Sequence, residues 1–349
     1  MATDGMGYRF SFGPWNIHEG ADPFGPAVRG DTTVVDKLTQ YKALGFDGVQ
    51  LHDDDVVPEL DSRSSSQIAN TAKEMRDVLD SEGLVAEFVA PRLWEAPEGI
   101  DGAFTANDPQ VRTWALSRSR QAVDIAEILG TDLIVLWFAR EGTYIRESKQ
   151  AIEAHHLLVQ AINAILEYNP SIRVAIEPKP NEPMDHTYIP TIGHALALGS
   201  RTCDPSRVGG LIETAHAILA GLDPSDEMAF ALAADRLWGV HLNDQNGLKF
   251  DQDKSFGSVN LRAAFNQVRV LEQGGYAQTD RFIGVDVKAM RTQRTDTAIQ
   301  HLVNSRRIFL MLVEKVRSLD EDALKQHVAQ RDYEQLEMHI LDHLMGSPA

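Results

Sequence analysis

The stretch PQVRTWALSRSRQAVDIAEILGTDLIVLW, Pro109–Trp137, contains the pattern that decides the fold. Its first part places apolar residues such as Val111, Val123 and Leu129 on one side of a helix. Asp108 directly precedes the stretch and is a typical helix N-cap residue. The stretch ends in LIVLW, an uninterrupted apolar run that predicts a buried strand. A helix followed by a buried strand is the repeating unit of an α/β protein.

The same unit recurs along the chain. Short apolar or β-branched runs, each followed by a segment with helical spacing, lie at Tyr8–Phe12, Gly48–Leu51, Leu84–Val89, Leu133–Trp137, Ile172–Ile176, Val208–Ile212, Trp238–Leu242 and Arg281–Val285. Glu147–Leu166 has a clear helical period, and Asn260 is placed to cap the helix after the seventh run. Eight such units predict a (β/α)8 TIM barrel, of class α/β. An open doubly wound sheet is the alternative, although no GxGxxG motif follows the first run.

The pattern changes near residue 318. An apolar stripe with helical spacing continues in a polar segment beyond the eight units, at Tyr333, Leu336, Ile340 and Leu344. We therefore predict a barrel catalytic domain over residues 1–317 and a C-terminal helical arm over residues 318–349. The arm either packs on its own barrel or contacts another subunit, and both alternatives stay open.

The composition is that of an ordinary globular protein. Of 349 residues, 43% are hydrophobic and 24% are charged. Acidic residues number 51 against 33 basic ones, and the resulting formal charge of −18 disfavours a nucleic-acid partner. Cys203 is the single cysteine, which excludes an intramolecular disulfide and a thiolate-cluster metal site. Because neither a signal-peptide pattern nor an apolar run of about 20 residues is present, we expect a cytoplasmic protein with no membrane partner.

Polar and aromatic residues stand where the predicted strands end. In strand order, these positions are Trp15, His52, Trp94, Trp137, Glu177, Glu213, His241 and Asp286. The carboxyl ends of the strands carry the chemistry in a (β/α)8 barrel, so the last four would converge on its axis. Four such groups, three of them carboxylates, would repel one another strongly there unless a cation lay between them. Oxygen-rich coordination with one imidazole suits Mn²⁺, Co²⁺ or Mg²⁺.

A second set of metal-ligand types lies beside the first. His216 follows Glu213 by three residues, and Asp251 and Asp253 are two apart in a predicted loop. Each pattern alone is more often structural, because E-x-x-H is common on helices and D-x-D is common in solvated turns. Their common location next to the strand ends favours a dinuclear site that shares Glu213.

These motifs closely resemble the xylose isomerase family of aldose–ketose isomerases, over nearly the whole chain. The matching stretches are FGPW…DPFG (Phe12–Gly25), GFDGVQLHDDD (Gly45–Asp55), DGAFTAND (Asp101–Asp108), WFAREG (Trp137–Gly142), AIEPKPNEP (Ala175–Pro183), GHALAL (Gly193–Leu198), NDQNGLKFDQD (Asn243–Asp253) and LDHLMG (Leu341–Gly346). HDDD combined with EPKPNEP is a specific signature of that family.

The resemblance implies roles for individual residues. His52, steadied by Asp55, would open the cyclic sugar by proton transfer, and Lys179 would donate to the carbonyl oxygen. The pocket would be lined by Trp15, Trp94 and Trp137. Phe24 matches a phenylalanine that the family inserts into the neighbouring subunit's site, which implies a homo-oligomer, either a dimer or a tetramer.

The resemblance also implies two divalent metal ions per subunit, Mn²⁺, Co²⁺ or Mg²⁺. The structural ion would be held by Glu177, Glu213 and Asp286, with His241 at the position of a fourth ligand. The catalytic ion would be held by Glu213, His216, Asp251 and Asp253.

Several positions depart from the family. His241 stands where xylose isomerases have an aspartate, and an imidazole there is what rhamnose isomerases and tagatose epimerases look like. We predict that the lost negative charge shifts the metal preference from Mg²⁺ toward Mn²⁺ or Co²⁺. In the pocket, Ala90, Arg92, Trp94 and Met184 also differ from the family. The altered wall leaves the identity of the sugar open.

The leading hypothesis is therefore an enzyme that interconverts a free aldose and ketose by ring opening and a 1,2-hydride shift. A metal-dependent sugar epimerase or sugar-processing lyase on the same barrel is the main alternative. A DNA-repair nuclease of this superfamily would need more histidines at the strand ends and a less acidic chain. In a non-catalytic sugar-binding or metal-storage protein, Lys179, which lies two residues after the predicted ligand Glu177, would have no evident role in binding.

Overall fold

The computed structural model describes residues 6–17, 24–30 and 32–346. Within these ranges, eight parallel strands close into a barrel, which confirms the predicted (β/α)8 fold. The strands are β1 (Arg9–Phe12), β2 (Gly48–His52), β3 (Val85–Ala90), β4 (Leu133–Trp137), β5 (Arg173–Glu177), β6 (Val208–Glu213), β7 (Leu237–Leu242) and β8 (Phe282–Val285). Each strand lies between its two neighbours in the chain, and β1 closes the ring against β8.

The strand register of the barrel places the carboxyl ends of neighbouring strands at the same height along the barrel axis. Trp137 of β4 lies opposite Glu177 of β5, and Glu213 of β6 lies opposite His241 of β7. Residues far apart in the chain are therefore brought to one height around the axis. This levelling is what allows side chains from different strands to share a site.

Helices cover the barrel and follow its strands. Their bounds are α1 (Val34–Leu38), α2 (Tyr41–Leu44), α3 (Asp53–Val56), α4 (Ser65–Glu82), α5 (Pro109–Leu129), α6 (Ala151–Tyr168), α7 (Ile192–Gly199), α8 (Thr214–Leu219), α9 (Pro224–Ala233), α10 (Leu261–Gln273), α11 (Gln300–Arg317), α12 (Glu321–Gln330) and α13 (Tyr333–Met345). Asp108 caps α5 by accepting from the N–H of Gln110, and Asn260 caps α10 through the N–H of Ala263. Both predicted caps are thus confirmed.

Helix α6 begins later than the sequence pattern indicated. The prediction was Glu147–Leu166, whereas the helix starts at Ala151 and residues 146–148 form a 3-10 turn. The reason is local, because the side chain of Gln150 accepts from the N–H of Glu153 and so acts as the N-cap.

The apolar core has two layers. The larger layer lies between the strands and the surrounding helices. The smaller layer fills the inside of the barrel and consists of Phe88, Ala90, Leu133, Val135, Ala175, Leu211 and Trp238. The inside of the barrel is therefore a packed core, and a cavity lies above it at the carboxyl ends of the strands.

The C-terminal segment forms two helices, α12 and α13. Ile340 is buried against the main core, and His343 exchanges hydrogen bonds with Lys315 of α11. Tyr333 and Met338 are about half exposed. One side of the segment thus packs on its own barrel, while its other side is available for contacts, and the division near residue 318 stays a prediction. No helix in the described ranges is both long enough and apolar enough to cross a bilayer.

Candidate active site

A cavity of about 390 Å³ opens at the carboxyl end of the barrel. All seven predicted metal ligands line it: Glu177, Glu213, His216, His241, Asp251, Asp253 and Asp286. His52, Lys179 and three tryptophans line it as well. Only the barrel could assemble this set, because its members come from almost every strand end.

Local structure explains the position of each ligand group. Glu177 and Glu213 are the last residues of β5 and β6, and α8 starts directly after Glu213. His216 therefore lies on the first turn of α8, facing back toward the strand end. Asp251 and Asp253 lie in the loop after β7, which a backbone bridge between residues 244 and 254 folds back over the cavity.

The first group of ligand types comprises Glu177, Glu213 and His241. One ligand atom from each lies within 4.8 Å of the others, and all three residues are buried. His241 Nδ1 is 3.3 Å from Glu177 Oε1. Asp286 lines the same cavity but lies outside this group, where it accepts hydrogen bonds from Trp15 Nε1 at 3.0 Å and Asn16 Nδ2 at 2.7 Å.

The second group comprises Glu213, His216 and Asp251, again within 4.8 Å. His216 Nε2 is 3.1 Å from both Glu213 Oε2 and Asp251 Oδ2. Asp253 lies outside the group, since its carboxylate pairs with Lys288 at 2.7 Å. Glu213 belongs to both groups, as the sequence predicted for a shared ligand.

The two groups concentrate negative charge in a buried space. Burial, reinforced by the charge of Asp251, raises the pKa of Glu213 well above its usual value and that of Asp253 to about 8. Burial opposes the charge of His241 too, but Glu177 raises its pKa to about 9. Burial also opposes the charge of Glu177, but the charge of His241 and its hydrogen bond lower the pKa of Glu177 to about 2. Positive charge among these carboxylates, from a proton or from a bound cation, is therefore favourable.

The donor set fits divalent cations. Three buried ligand atoms have no hydrogen-bond partner among the described residues: His216 Nδ1, His241 Nε2 and Asp251 Oδ1. Orphaned buried polar atoms are rare in proteins unless a water or an ion satisfies them. Carboxylate oxygens with one imidazole in each group are typical ligands for Mn²⁺, Co²⁺ or Mg²⁺.

His52 lies on the opposite side of the cavity with Asp55 and Arg92. His52 Nδ1 is 3.1 Å from Asp55 Oδ2 and 2.5 Å from Arg92 Nη2, which is also 3.1 Å from Asp55 Oδ1. Although burial acts against ionisation, His52 and Arg92 lower the pKa of Asp55. Sequence reasoning placed Arg92 in the pocket wall but missed this contact. Its position just after β3 was the available signal.

Lys179 extends from the turn after β5 toward the second group. Its Nζ is 2.7 Å from Asp251 Oδ2 and 3.4 Å from Glu182 Oε2. Burial opposes the charge, but Asp251, Glu213 and Glu182 together raise the pKa of Lys179, so the side chain is an ammonium. Glu182 and Lys288 were not singled out from the sequence, although both lie near residues that were.

The indole rings form one wall of the cavity. The ring of His52 is 4.2 Å from that of Trp15 and 5.2 Å from that of Trp94, and Trp94 is 4.7 Å from Trp137. Gly13 makes room for this arrangement, since a Cβ there would come within 2.1 Å of the Trp15 ring. Phe24 lies outside the cavity of its own chain, 75% exposed, with its ring 5.3 Å from that of Phe250.

Comparisons with known proteins agree with this architecture. Residues 38–302 match the family model described as xylose isomerase-like TIM barrel. The chain is 36% identical over 320 residues to a xylose isomerase of Thermus thermophilus, an alignment covering 90% of this chain and 81% of that one. Solved structures share the fold at low identity. A D-tagatose 3-epimerase-like protein has a TM-score of 0.64 at 15% identity, covering 88% of this chain and 98% of that one.

A 3-keto-D-glucoside 4-epimerase from E. coli has a TM-score of 0.61 at 14% identity, covering 85% of this chain and 99% of that one. Likeness at this level shows the fold alone. The family match and the curated relative extend over most of the barrel. The closed parallel barrel, the family match over most of its length and the extended identity to a xylose isomerase together show that the chain belongs to the xylose isomerase-like TIM barrel family.

Proposed function

We propose that the protein is an aldose–ketose isomerase that interconverts a free monosaccharide aldose and ketose by ring opening and a 1,2-hydride shift. The observation that carries the proposal is the ammonium of Lys179, buried beside two ligand groups that share Glu213. The relative from Thermus thermophilus, named a xylose isomerase, supports the same class of reaction. The protein would act as a homo-oligomer on a small-molecule sugar.

The first group, with Asp286 nearby, would hold one divalent ion, and the second group, with Asp253 nearby, would hold another. Such ions supply Lewis acidity, which stabilises the negative charge that develops on substrate oxygens during the reaction. Converting the aldose to the ketose requires O2 to lose its proton, hydride to move from C2 to C1, and O1 to gain a proton. The acidic half of the cavity would therefore hold the O1–O2 end of the sugar.

The chain's own side chains would do the remaining work. His52, held by Asp55, moves a proton when the ring opens. Lys179 donates a hydrogen bond to the carbonyl oxygen, where charge accumulates. Trp15 and Trp137 exclude bulk water, which favours direct hydrogen transfer between the two carbons over exchange with solvent.

Isotope exchange tests the reaction class. A panel of aldoses and ketoses is incubated with the Mn²⁺-loaded protein in D₂O, and interconversion and deuterium at carbon are followed by NMR. The proposal expects interconversion with little deuterium at C1 and C2. Full incorporation would instead support proton exchange through an enediol, as in a metal-dependent epimerase.

Lys179→Met tests the catalytic role against mere sugar or metal binding. We expect kcat to fall roughly 10²- to 10³-fold, as when one donor to a developing oxyanion is removed, while the bound metal, measured by elemental analysis, is unchanged. The matched control is Lys325→Met, because Lys325 is 71% exposed and lies far from the cavity on α12. Full activity of Lys179→Met would contradict the proposed role.

A further inference from the structure

A group of polar side chains lies inside the barrel, below the cavity. Gln50 and His52 are two residues apart on β2, so both side chains point to the inside of the barrel. His52 lines the cavity, whereas Gln50 does not and is fully buried. Gln50 Nε2 donates to Ser11 Oγ at 3.2 Å and to Glu87 Oε2 at 3.1 Å, and Ser11 Oγ donates to the same carboxylate. We call Ser11, Gln50 and Glu87 the polar cluster.

Gly284 of β8 leaves a gap between the polar cluster and His241. In the strand register, Gly284 lies opposite His241 of β7 on one side and opposite Ser11 of β1 on the other. A Cβ at Gly284 would come within 2.3 Å of Gln50 Nε2 and 3.4 Å of His241 Cδ2. The edge of the imidazole that contains Cδ2 and Nε2 is therefore turned toward this gap. Nδ1 lies on the opposite edge of the ring, 3.3 Å from Glu177 Oε1.

The amide of Gln50 and the imidazole of His241 each have one buried polar atom without a hydrogen-bond partner among the described residues. These atoms are Gln50 Oε1 and His241 Nε2. A carboxylate can only accept, so Glu87 requires the NH₂ group of Gln50 on its side and leaves the amide oxygen as an acceptor. An imidazole that offers Nδ1 to a cation carries its proton on Nε2, and this N–H needs an acceptor. The two unsatisfied atoms are therefore complementary.

We infer that Gln50 and Glu87 are positioning residues for the metal ion proposed for the first group. Gln50 Oε1 accepts from His241 Nε2, directly or through one water molecule, and so fixes the tautomer and ring orientation that present Nδ1 beside Glu177. Glu87 holds the amide in the orientation that this contact requires. The inference rests on the ion that the proposed function assigns to the first group but not on the sugar reaction, since neither positioning residue lines the cavity.

Metal binding without turnover tests the inference. Gln50→Met keeps a side chain of similar length and removes the acceptor. The metal-free full chain, as wild type and as variant, is titrated calorimetrically with Mn²⁺. We expect the affinity for one of the two ions to fall roughly 10- to 100-fold, the usual loss when the outer partner of a metal-bound histidine is removed. Unchanged affinities in a folded variant would overturn the inference.

A second background separates an effect through His241 from a general loosening of the barrel. His241→Asp has no N–H to donate, so adding Gln50→Met to it should change the Mn²⁺ affinities by no more than about twofold. The ion whose affinity changes in His241→Asp alone should also be the one that responds to Gln50→Met in the wild-type background. Losses of similar size in both backgrounds would show that Gln50 does not act through His241 and would overturn the inference.

Glu87→Gln examines the orientation of the amide. The new carboxamide can donate to Gln50 Oε1 and so competes with His241 for the acceptor, which should weaken binding of the same ion. Should Gln50→Met unfold, as its melting curve would show, this variant decides. The control for loss of a buried hydrogen bond is Ser305→Ala, since Ser305 is fully buried on α11 and accepts from the N–H of Phe256. It should lower the melting temperature and leave both Mn²⁺ affinities unchanged.

The outcomes separate this inference from the proposed function. Wild-type protein that binds no Mn²⁺ would refute the proposed ions and the inference with them. Binding of two ions without any response to the variants of the polar cluster would refute the inference alone. A response of one ion to Gln50→Met, without interconversion of any sugar, would keep the inference and refute the reaction.

Discussion

At the scale of single residues, two neighbours of His52 require opposite protonation of its Nδ1 atom. Arg92 can only donate, so its Nη2, 2.5 Å from His52 Nδ1, requires a lone pair on that nitrogen. Asp55 Oδ2, 3.1 Å away, accepts only if the same nitrogen carries the proton. The shorter contact, with Arg92, favours the tautomer of His52 that carries its proton on Nε2.

Arg92→Met should therefore move that proton. Without the guanidinium, Nδ1 takes the proton and donates to Asp55, and the ¹⁵N chemical shifts of the two ring nitrogens exchange their character. Arg294→Met is the control, because Arg294 is 81% exposed and its ion pair is remote from the cavity. A wild-type spectrum that already shows the proton on Nδ1 would contradict this assignment.

His241 is the other residue whose type matters by itself. An imidazole at this place removes one negative charge relative to an aspartate and adds a nitrogen ligand, for which Mn²⁺ and Co²⁺ have greater affinity than Mg²⁺. We expect metal-free protein to bind and be activated best by Mn²⁺ or Co²⁺, and His241→Asp to shift the order toward Mg²⁺. Calorimetric titration and activity after reconstitution measure both, and best performance of the wild type with Mg²⁺ would refute the expectation.

At the scale of elements, a buried ion pair anchors the segment that carries His52. Arg118 of α5 donates to Asp53 of α3 from Nε at 2.8 Å and from Nη2 at 3.0 Å, and Asp53 is fully buried. The pair fixes α3, and with it the start of the His52–Asp55 contact, against a long helix of the barrel. Neither residue was singled out from the sequence, because its partner lies 65 positions away.

Arg118→Leu should destabilise the protein by about 3–5 kcal/mol, because it leaves the buried carboxylate of Asp53 with backbone N–H donors but without a cationic partner. Urea unfolding measures the loss. Arg76→Leu is the control, since its pair with Asp80 is half exposed and is worth about 1 kcal/mol at most. Similar losses for the two variants would show that the buried pair does not anchor α3.

At the scale of the whole molecule, the C-terminal helices and Phe24 bear on assembly. Helices α12 and α13 contact the barrel on one side, and the side chain of Phe24 is largely exposed on the surface. We expect the full chain to be a dimer or tetramer in light scattering. A chain that ends at residue 318 should keep the circular dichroism of the barrel but form smaller assemblies and melt at a lower temperature. An unchanged assembly would assign the contacts to the barrel alone.

Local patterns in the sequence determined a large part of this protein. Helical and strand periods, with caps such as Asp108, are properties of neighbouring residues, and they gave eight units with strand bounds within one or two residues of the structure. They also placed Glu177, Glu213 and His241 at strand ends. These patterns did not predict the start of α6 correctly, because its N-cap is Gln150 and glutamine is a weak indicator of a cap.

Closure of the barrel decided what the site can do. It placed Glu213 in both ligand groups. It also formed the Asp253–Lys288 and Asp251–Lys179 ion pairs and the contact between Arg92 and His52. These relations join residues that are distant in the chain, and their distances depend on strand register and on the ring itself. The sequence by itself therefore determined the eight units and the candidate ligands at their strand ends, and only the tertiary structure decided which other residues join them and which of them act on one another.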